Sequence, residues 1–228
     1  MNQTYRIRRR ARFSAGVVPA CALLWAAAAW AQAATPGDKT ALPPLTPPGD
    51  NVASPESATG EAPQVKQLMA DAEKGDVKAQ TELANSYYVG IGVPKNIQEA
   101  IKWWRKAADQ GDGSSYSILG TLHYQGIGVN KDSAEAIRMW HKGAEKYDKD
   151  AMSQLGFAYL VGDSVPKDFT YSYMWFNLAA SNGDVFSAKS RDSVAKNMSA
   201  EMVMEAQRLG TEWQQQHPKP VAPAPAAK

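Results

Sequence analysis

The sequence is poor in the residues that bind metals or form disulfides. Its 228 residues include one cysteine, Cys21, and three histidines. Cys21 lies in an N-terminal apolar run that we expect to be removed, so the mature chain would have neither disulfides nor thiol chemistry. His123, His141 and His217 are too few and too scattered for a metal site. We therefore predict no metal, no cofactor and a fold held together by packing alone.

An excess of positive charge is also missing once the N-terminal segment is set aside. The whole chain has 25 basic and 23 acidic residues. No acidic residue lies in that segment, but five arginines do: Arg6, Arg8, Arg9, Arg10 and Arg12. The rest of the chain therefore has 20 basic against 23 acidic residues, a net charge of −3. This charge gives no electrostatic reason to expect nucleic-acid binding.

The N-terminal segment has the organisation of a secretory signal peptide. Its arginines precede an apolar run over residues 13–34 that contains the motif Ala31-Gln32-Ala33. We predict a signal peptide at 1–33, cleaved after Ala33 or else after Ala31, and hence a periplasmic or secreted protein. One alternative is an uncleaved membrane anchor, since about 20 apolar residues can span a bilayer. A lipid on Cys21 is a further alternative, although the residues before it form a poor lipidation motif.

Two other segments lack the periodic apolar pattern of folded structure. Residues 34–63 are rich in proline, glycine, serine and threonine, and residues 217–228 in proline and alanine. Neither has enough apolar surface to form a core, so we predict a disordered linker and a disordered tail. The folded domain is then expected at 64–216.

Within that domain the chain repeats itself every 36 residues. The units run over 76–111, 112–147 and 148–183, with a single capping helix at 64–75 before them and a degenerate C-terminal cap at 184–216. A period of this length marks an array of supersecondary units that bury their apolar faces against each other. The matching positions are Leu83, Leu119 and Leu155; Gly90, Gly126 and Gly162; Trp104, Trp140 and Phe176; and Ala108, Ala144 and Ala180.

Each unit has apolar residues at helical spacing twice, separated by a loop. In the first unit, Gly90 is placed to end the first helix and Asn96 to cap the second, with Glu99 following as in a capping box. The small residue Ala84, like Gly120 and Gly156 after it, allows the second helix with its large ring to approach the first. We therefore predict an all-α fold, a right-handed α-solenoid of antiparallel helix pairs.

The third unit departs from this pattern in its loop. Ser164 stands where the first unit has Gly92. If the loop requires a positive φ there, Ser164 carries strain or the loop is rebuilt.

These features resemble the SEL-one-like repeat family, relatives of the tetratricopeptide repeat. The resemblance is carried by the Leu-Gly-x-x-Tyr element at 155–159, the Gly-x-Gly-Val-Pro-Lys loop at 90–95 and the Ala…Trp-Trp-Arg-Lys-Ala-Ala ending at 100–108. His123 takes the place of the tyrosine in the second unit, where we expect a packed, hydrogen-bonded imidazole. The resemblance implies a non-catalytic scaffold that binds a protein or peptide partner, and leaves the partner's identity open.

By analogy with tetratricopeptide repeats, the first helix of each pair would line a concave, partner-binding face. Rings among small polar groups suit a peptide or an amphipathic helix. The alternative is that these side chains pack against neighbouring repeats. The predicted partner-binding residues are Lys78, Thr81, Asn85, Tyr88, Ser114, Ser117, Thr121, Tyr124, Asp150, Ser153, Phe157 and Leu160.

One motif would suit an enzyme. Ser193-Val-Ala-Lys196 has the S-x-x-K spacing of penicillin-interacting enzymes, but no S-D-N or K-T-G motif follows it. Some secreted relatives are described as penicillin-binding or β-lactam-hydrolysing. We predict a protein that is not an enzyme, with a peptidoglycan- or β-lactam-binding or hydrolysing enzyme of the cell envelope as the alternative.

Overall fold

The computed structural model describes residues 63–219, so the expected signal peptide, nearly all of the linker and residues 220–228 lie outside the described residues. All regular structure within 63–219 is helical. The helices are α1 (Pro63–Glu73), α2 (Val77–Val89), α3 (Ile97–Asp109), α4 (Gly113–Gln125), α5 (Ser133–Glu145), α6 (Lys149–Val161), α7 (Phe169–Ser181), α8 (Val185–Ala195) and α9 (Ala200–Gln216).

The three repeats each form one helix pair: α2 with α3, α4 with α5, and α6 with α7. The second helix of each pair also packs on the first helix of the next, which extends one core through the stack. Helix α1 packs on α2 at one end, and α8 packs on α7 at the other. The prediction of an all-α, right-handed solenoid of antiparallel helix pairs is confirmed.

The repeat boundaries are set by glycine and aspartate. Gly90, Gly126 and Gly162 end the first helices in the left-handed region, at φ between 73° and 90°. A residue without Cβ adopts this conformation at the least steric cost. Aspartates begin the first helices, and in each repeat the carboxylate accepts the backbone N–H three residues later, as Asp148 does from Ala151 at 2.8 Å.

The second helices are capped as expected, but the capping box does not close. Asn96 accepts the N–H groups of Gln98 and Glu99. Its own N–H, which a capping box would give to Glu99, instead donates to the carbonyl of Tyr87 at 2.8 Å. The loop between the two helices therefore folds back far enough for the Tyr87 carbonyl of the first helix to accept the Asn96 N–H. The side chain of Glu99 is left to pair with Lys102.

Close approach of the paired helices depends on small residues facing rings, as predicted. A Cβ on Gly120 would lie 2.6 Å from the Trp140 ring, and one on Gly156 would lie 2.7 Å from the Phe176 ring. Phe176 is fully buried and Trp140 is 2% exposed. These contacts leave no room for even a methyl group.

The third loop keeps the conformation of the others, at a cost in strain. Gly92 and Gly128 have φ of 72° and 70°, and Ser164 at the matching position has φ of 62°. The loop is therefore not rebuilt, and the strain expected at Ser164 is confirmed. At Gly128 space also requires glycine, because a Cβ there would lie 2.4 Å from the Ile97 side chain. The smaller Ser133 stands at the matching position in the next repeat, opposite Ser164.

Replacing Ser164 with glycine is expected to raise the free energy of unfolding by about 1 kcal/mol, since glycine adopts a positive φ without strain. Ser164→Ala is the control, because it removes the hydroxyl but keeps the Cβ. Chemical denaturation followed by circular dichroism measures both variants. An equal gain in Ser164→Ala would show that the hydroxyl, not the backbone conformation, carries the cost.

The C-terminal helix α9 packs chiefly on α7 rather than on its neighbour α8. Helix α7 has the sequence FTYSYMWFNLAAS, without one charged residue. An uncharged helix with this many large apolar side chains needs cover on several sides. Helices α6, α8 and α9 provide that cover.

Tyr147 fastens α9 to the repeats. It occupies the position of Gly111 and Gly183 and has φ of 60°, a strained value for a residue with a ring. Its hydroxyl donates to the carbonyl of His217, and its ring lies 5.5 Å from that of Trp213. These contacts hold the strained conformation in place.

Candidate functional site

The first-helix face, which we define as the predicted partner-binding residues on α2, α4 and α6, is partly open to solvent. The side chain of Lys78 is 87% exposed. Eight other predicted residues are half-buried: Thr81, Asn85, Tyr88, Ser114, Tyr124, Asp150, Phe157 and Leu160. These nine residues have surface that a partner could contact.

The remaining three predicted residues are buried, which is a correction to the predicted surface. Ser117, Thr121 and Ser153 are 3%, 7% and 0% exposed. The backbone carbonyl of Ser117 accepts hydrogen bonds from Thr121 and from Trp140. The Ser153 hydroxyl lies 2.9 Å from that of Ser187 in the next unit. The Ser117 carbonyl and the Ser153 hydroxyl thus bond to other helices, as in the packing alternative.

Tyr88 and Tyr124 on this face pack against tryptophan rings and are also partly exposed to solvent. Tyr88 lies 5.4 Å from the Trp104 ring, and Tyr124 lies 5.6 Å from that of Trp140. Burial, followed by the hydrogen-bonded Asp163 carboxylate of the next loop, raises the pKa of Tyr124. Tyr124 therefore ties two repeats together as well as reaching the surface.

One feature of this face suits contact with a peptide. Towards the C-terminal end, Phe157 packs 5.8 Å from Phe186, a ring that is 41% exposed. This aromatic surface suits a peptide's apolar side chains. The side-chain carbonyl oxygen of Asn85 is buried and has no hydrogen-bond donor among residues 63–219.

A half-buried carboxylate, that of Asp148, begins α6. Burial raises the pKa of Asp148 to about 6, and the neighbouring charges of Asp150 and Asp112 act in the same direction. The N–H of Ala151 and the Ser117 hydroxyl bond the carboxylate and oppose the increase. The pKa of Asp150 is also raised, again mainly by burial.

A cleft that the sequence did not predict lies between the second helices α5 and α7 and the C-terminal helix α9. It has a volume of about 330 Å³ and is bounded by α5, α7 and α9 and the end of α6. We call it the α9 cleft. Its walls include Tyr159, Tyr171, Trp175 and Trp213, and its polar lining includes His141, Glu145, Glu212 and His217.

Aromatic contacts fix the floor of the α9 cleft. Trp175 is 3% exposed and meets Trp213 and His141 edge to face, at 5.4 Å from each. Tyr159 stacks on Tyr171 at 5.1 Å, and Tyr171 is 40% exposed. Burial lowers the pKa of His141, so this imidazole is neutral at neutral pH.

The residues considered for metal binding or catalysis are not assembled into such sites. Between residues 63 and 219 no group of three or more His, Cys, Asp or Glu side chains is arranged to hold a metal ion. His123 is packed as predicted, but its buried Nδ1 has no hydrogen-bond partner in that range. Ser193 and Lys196 are both exposed at the end of α8, and neither lines the α9 cleft.

The signal that could have predicted the α9 cleft is the break in the repeat at Tyr147 and the uncharged sequence of α7. The repeat pattern does not predict the position of α9, because the contacts of α9 join residues as far apart in the chain as Tyr147 and His217.

No helix in the described part of the chain is both long and apolar enough to cross a membrane.

Comparison with known proteins gives the family. The family model described as "Sel1 repeat" matches residues 77–112, 114–148 and 149–184, which agree with the three helix pairs. A Sel1 repeat protein from Oxalobacter formigenes is 33% identical over 57% of this chain and 98% of its own, with a TM-score of 0.53. No curated protein matches the sequence.

Two other solved structures are similar at lower identity. The protective antigen c5321 of uropathogenic Escherichia coli is 24% identical, with 72% of this chain and 45% of that one covered and a TM-score of 0.46. Cysteine-rich protein B of Helicobacter pylori is 23% identical, with 57% and 98% covered and a TM-score of 0.46. The three matched repeats and the similarity to the Oxalobacter protein establish that this chain belongs to the Sel1 repeat family.

Proposed function

We propose that this protein is a non-catalytic scaffold of the bacterial envelope that binds an extended segment of a partner protein on its first-helix face. Sel1 repeat proteins generally mediate protein–protein interaction. The observation that carries the proposal for this face is the row of partly exposed aromatic side chains at Tyr88, Tyr124 and Phe157. Rings that keep some surface on a helical scaffold suit the apolar side chains of a bound segment.

Packing in register supports the same proposal. Helix α4 lies against α6, and the 36-residue repeat places equivalent residues on each first helix. A rigid row of this kind binds an extended segment with little loss of its own conformational entropy. The acidic Asp150 and the basic Lys78 lie on different repeats, which would give the bound segment a preferred direction.

The location of the protein is part of the proposal. It rests on the arginine-rich and apolar segment that ends at Ala33. In the periplasm or outside the cell, a scaffold without cysteine in its mature form would be unaffected by the redox conditions there.

Photo-crosslinking in the native cell tests the face and the location together. A photoreactive residue is placed at Lys78 or Ser114 on the first helices, and at Lys102 or Arg105 on α3 as matched controls on the second-helix side. Lys78 and Lys102 are well matched, because their side chains are 87% and 57% exposed. We expect discrete adducts from the first-helix positions alone, in the periplasmic or secreted fraction and at a mass that lacks residues 1–33.

Two results would contradict this proposal separately. Adducts from Lys102 or Arg105 without any from Lys78 or Ser114 would place the partner on the other face. Adducts that retain residues 1–33 in the membrane fraction would show that the N-terminal segment is an anchor.

A further inference from the structure

The α9 cleft is a second site, and none of the predicted partner-binding residues lines it. We propose that it binds a proline-rich segment of a partner protein in the polyproline II conformation, with a basic residue next to the prolines. This inference does not depend on the proposed function of the first-helix face.

The walls of the α9 cleft suit proline rings. Tyr171 and Tyr159 stack into a ridge that remains partly exposed, and Trp175 and Trp213 form the surface beneath it. Aromatic-lined grooves bind proline-rich segments because the polyproline II helix is already ordered and presents flat apolar rings. The volume of about 330 Å³ lies at the lower end of the range for ligand sites and suits one or two residues at a time.

An unpaired donor at the floor calls for a carbonyl group. The indole Nε1 of Trp175 is buried and has no acceptor within the described part of the chain. Trp175 lines the α9 cleft, so a carbonyl group that enters the cleft comes next to this indole. In the polyproline II conformation the backbone carbonyls have no internal hydrogen bonds, so they are available to an indole N–H.

The charges at the α9 cleft favour a basic neighbour to the prolines. Glu145 and Glu212 both line it. Glu212 is paired with Arg208, so Glu145 is the carboxylate available to a ligand, and His141, whose pKa is lowered by burial, adds no positive charge. An arginine or lysine beside the prolines would meet the Glu145 carboxylate and the aromatic rings.

The chain's own C-terminal segment leads away from the α9 cleft. His217 lines it, but Lys219 contacts residues that do not, donating to the Asn182 side chain at 3.0 Å and lying 5.5 Å from the Tyr147 ring. This direction favours a segment of another protein over the prolines of residues 220–228.

Nuclear magnetic resonance titration of the full mature chain with the peptide acetyl-PPPLPPRP-amide tests the inference. The Trp175 indole N–H resonance is identified by its loss in Trp175→Phe. We expect that resonance to move downfield saturably as a carbonyl accepts its proton. The peptide acetyl-AAALAARA-amide should not move it, and acetyl-PPPLPPEP-amide should bind more weakly.

Variants separate the α9 cleft from the rest of the surface. Trp175→Phe keeps the packing but removes the donor, and should weaken binding about 5- to 10-fold. Tyr171→Ala should weaken it about 10-fold or more. Phe186→Ala is the matched control, because Phe186 and Tyr171 are 41% and 40% exposed but only Tyr171 lines the α9 cleft. This control should leave the affinity unchanged.

Three results would overturn the inference. Peptide binding that Phe186→Ala abolishes and Tyr171→Ala leaves intact would place the site elsewhere. Binding only after removal of residues 220–228 would mean that the chain's own prolines occupy the α9 cleft. A shift of the Trp175 resonance with chitotriose or a muropeptide, and none with the proline-rich peptide, would mean that the ligand is a glycan.

Discussion

Replacing Gly156 with alanine is expected to lower the free energy of unfolding by about 2–3 kcal/mol. The added Cβ would lie within 2.9 Å of three atoms of the Phe176 ring, closer than carbon atoms approach without strain. The ring cannot move aside cheaply, since Phe176 is fully buried and also packs edge to face against Phe157 at 4.9 Å. The higher helix propensity of alanine would offset only about 1 kcal/mol of this lost stability.

Gly210 provides the matched control for this variant. It is also a buried glycine within a helix, but a Cβ there would meet Met174 at 3.6 Å and Leu178 at 3.9 Å, which are ordinary contacts. Gly210→Ala is therefore expected to stabilise the protein by about 0.5–1 kcal/mol, through the lower entropy of the unfolded chain. Urea unfolding followed by circular dichroism measures both changes.

A second variant shows whether the ring causes the loss. In a Phe176→Leu background, Gly156→Ala should cost less than in the wild type, with a coupling energy of about 1 kcal/mol or more. A cost that is the same in both backgrounds, or a stabilising Gly156→Ala, would refute close packing of α6 on α7 as the reason for this glycine.

Much of the fold could be predicted because the helix boundaries in each repeat are determined by residues that are close in sequence. Gly90 and Asn96 end one helix and begin the next through backbone conformation and a short-range hydrogen bond, both of which depend on residues close in sequence. Because the three repeats carry these residues at matching positions, each repeat predicts the same helix boundaries. The strain at Ser164 was predictable for the same reason, as one residue that breaks a local pattern.

The candidate site was harder to predict because it depends on contacts between repeats. Ser117 and Ser153 are polar and lie on the expected helices, yet they are buried in hydrogen bonds to neighbouring elements. Their small polar side chains give no sign in the sequence of whether they face solvent or another helix. The α9 cleft has no periodic signature at all, since it is formed where α9 stops following the repeat and covers α7.

Replacing Asp148 with asparagine is expected to stabilise the protein at neutral pH by roughly 3 kcal/mol. Burial raises the pKa of this carboxyl group from 3.8 to about 6. Its ionised form therefore opposes folding above about pH 6, because the unfolded chain ionises the same group more easily. Asparagine has a similar shape, carries no charge and can accept the same N–H of Ala151 as an N-cap.

The pH dependence has a definite sign. Between about pH 4 and pH 6 the folded protein holds a proton on Asp148 that the unfolded chain has lost, so the contribution of this residue to stability falls as pH rises. Above about pH 6 both states have lost the proton, and the destabilisation is complete and constant. In Asp148→Asn the decrease in the free energy of unfolding between about pH 4 and pH 6 should disappear. The variant and the wild type should therefore have similar stability below about pH 4 and differ most at neutral pH.

Asp148→Ala separates the charge from the cap. It removes the half-buried carboxylate but also the acceptor of the Ala151 N–H, which is worth about 1 kcal/mol at an N-cap. Its gain at neutral pH should therefore be smaller than that of Asp148→Asn by about this amount, while its pH profile is equally flat. If the stability of Asp148→Asn still fell by the full amount between about pH 4 and pH 6, another carboxylate would be the group that titrates. Asp150, which burial also affects, would then be the residue to replace.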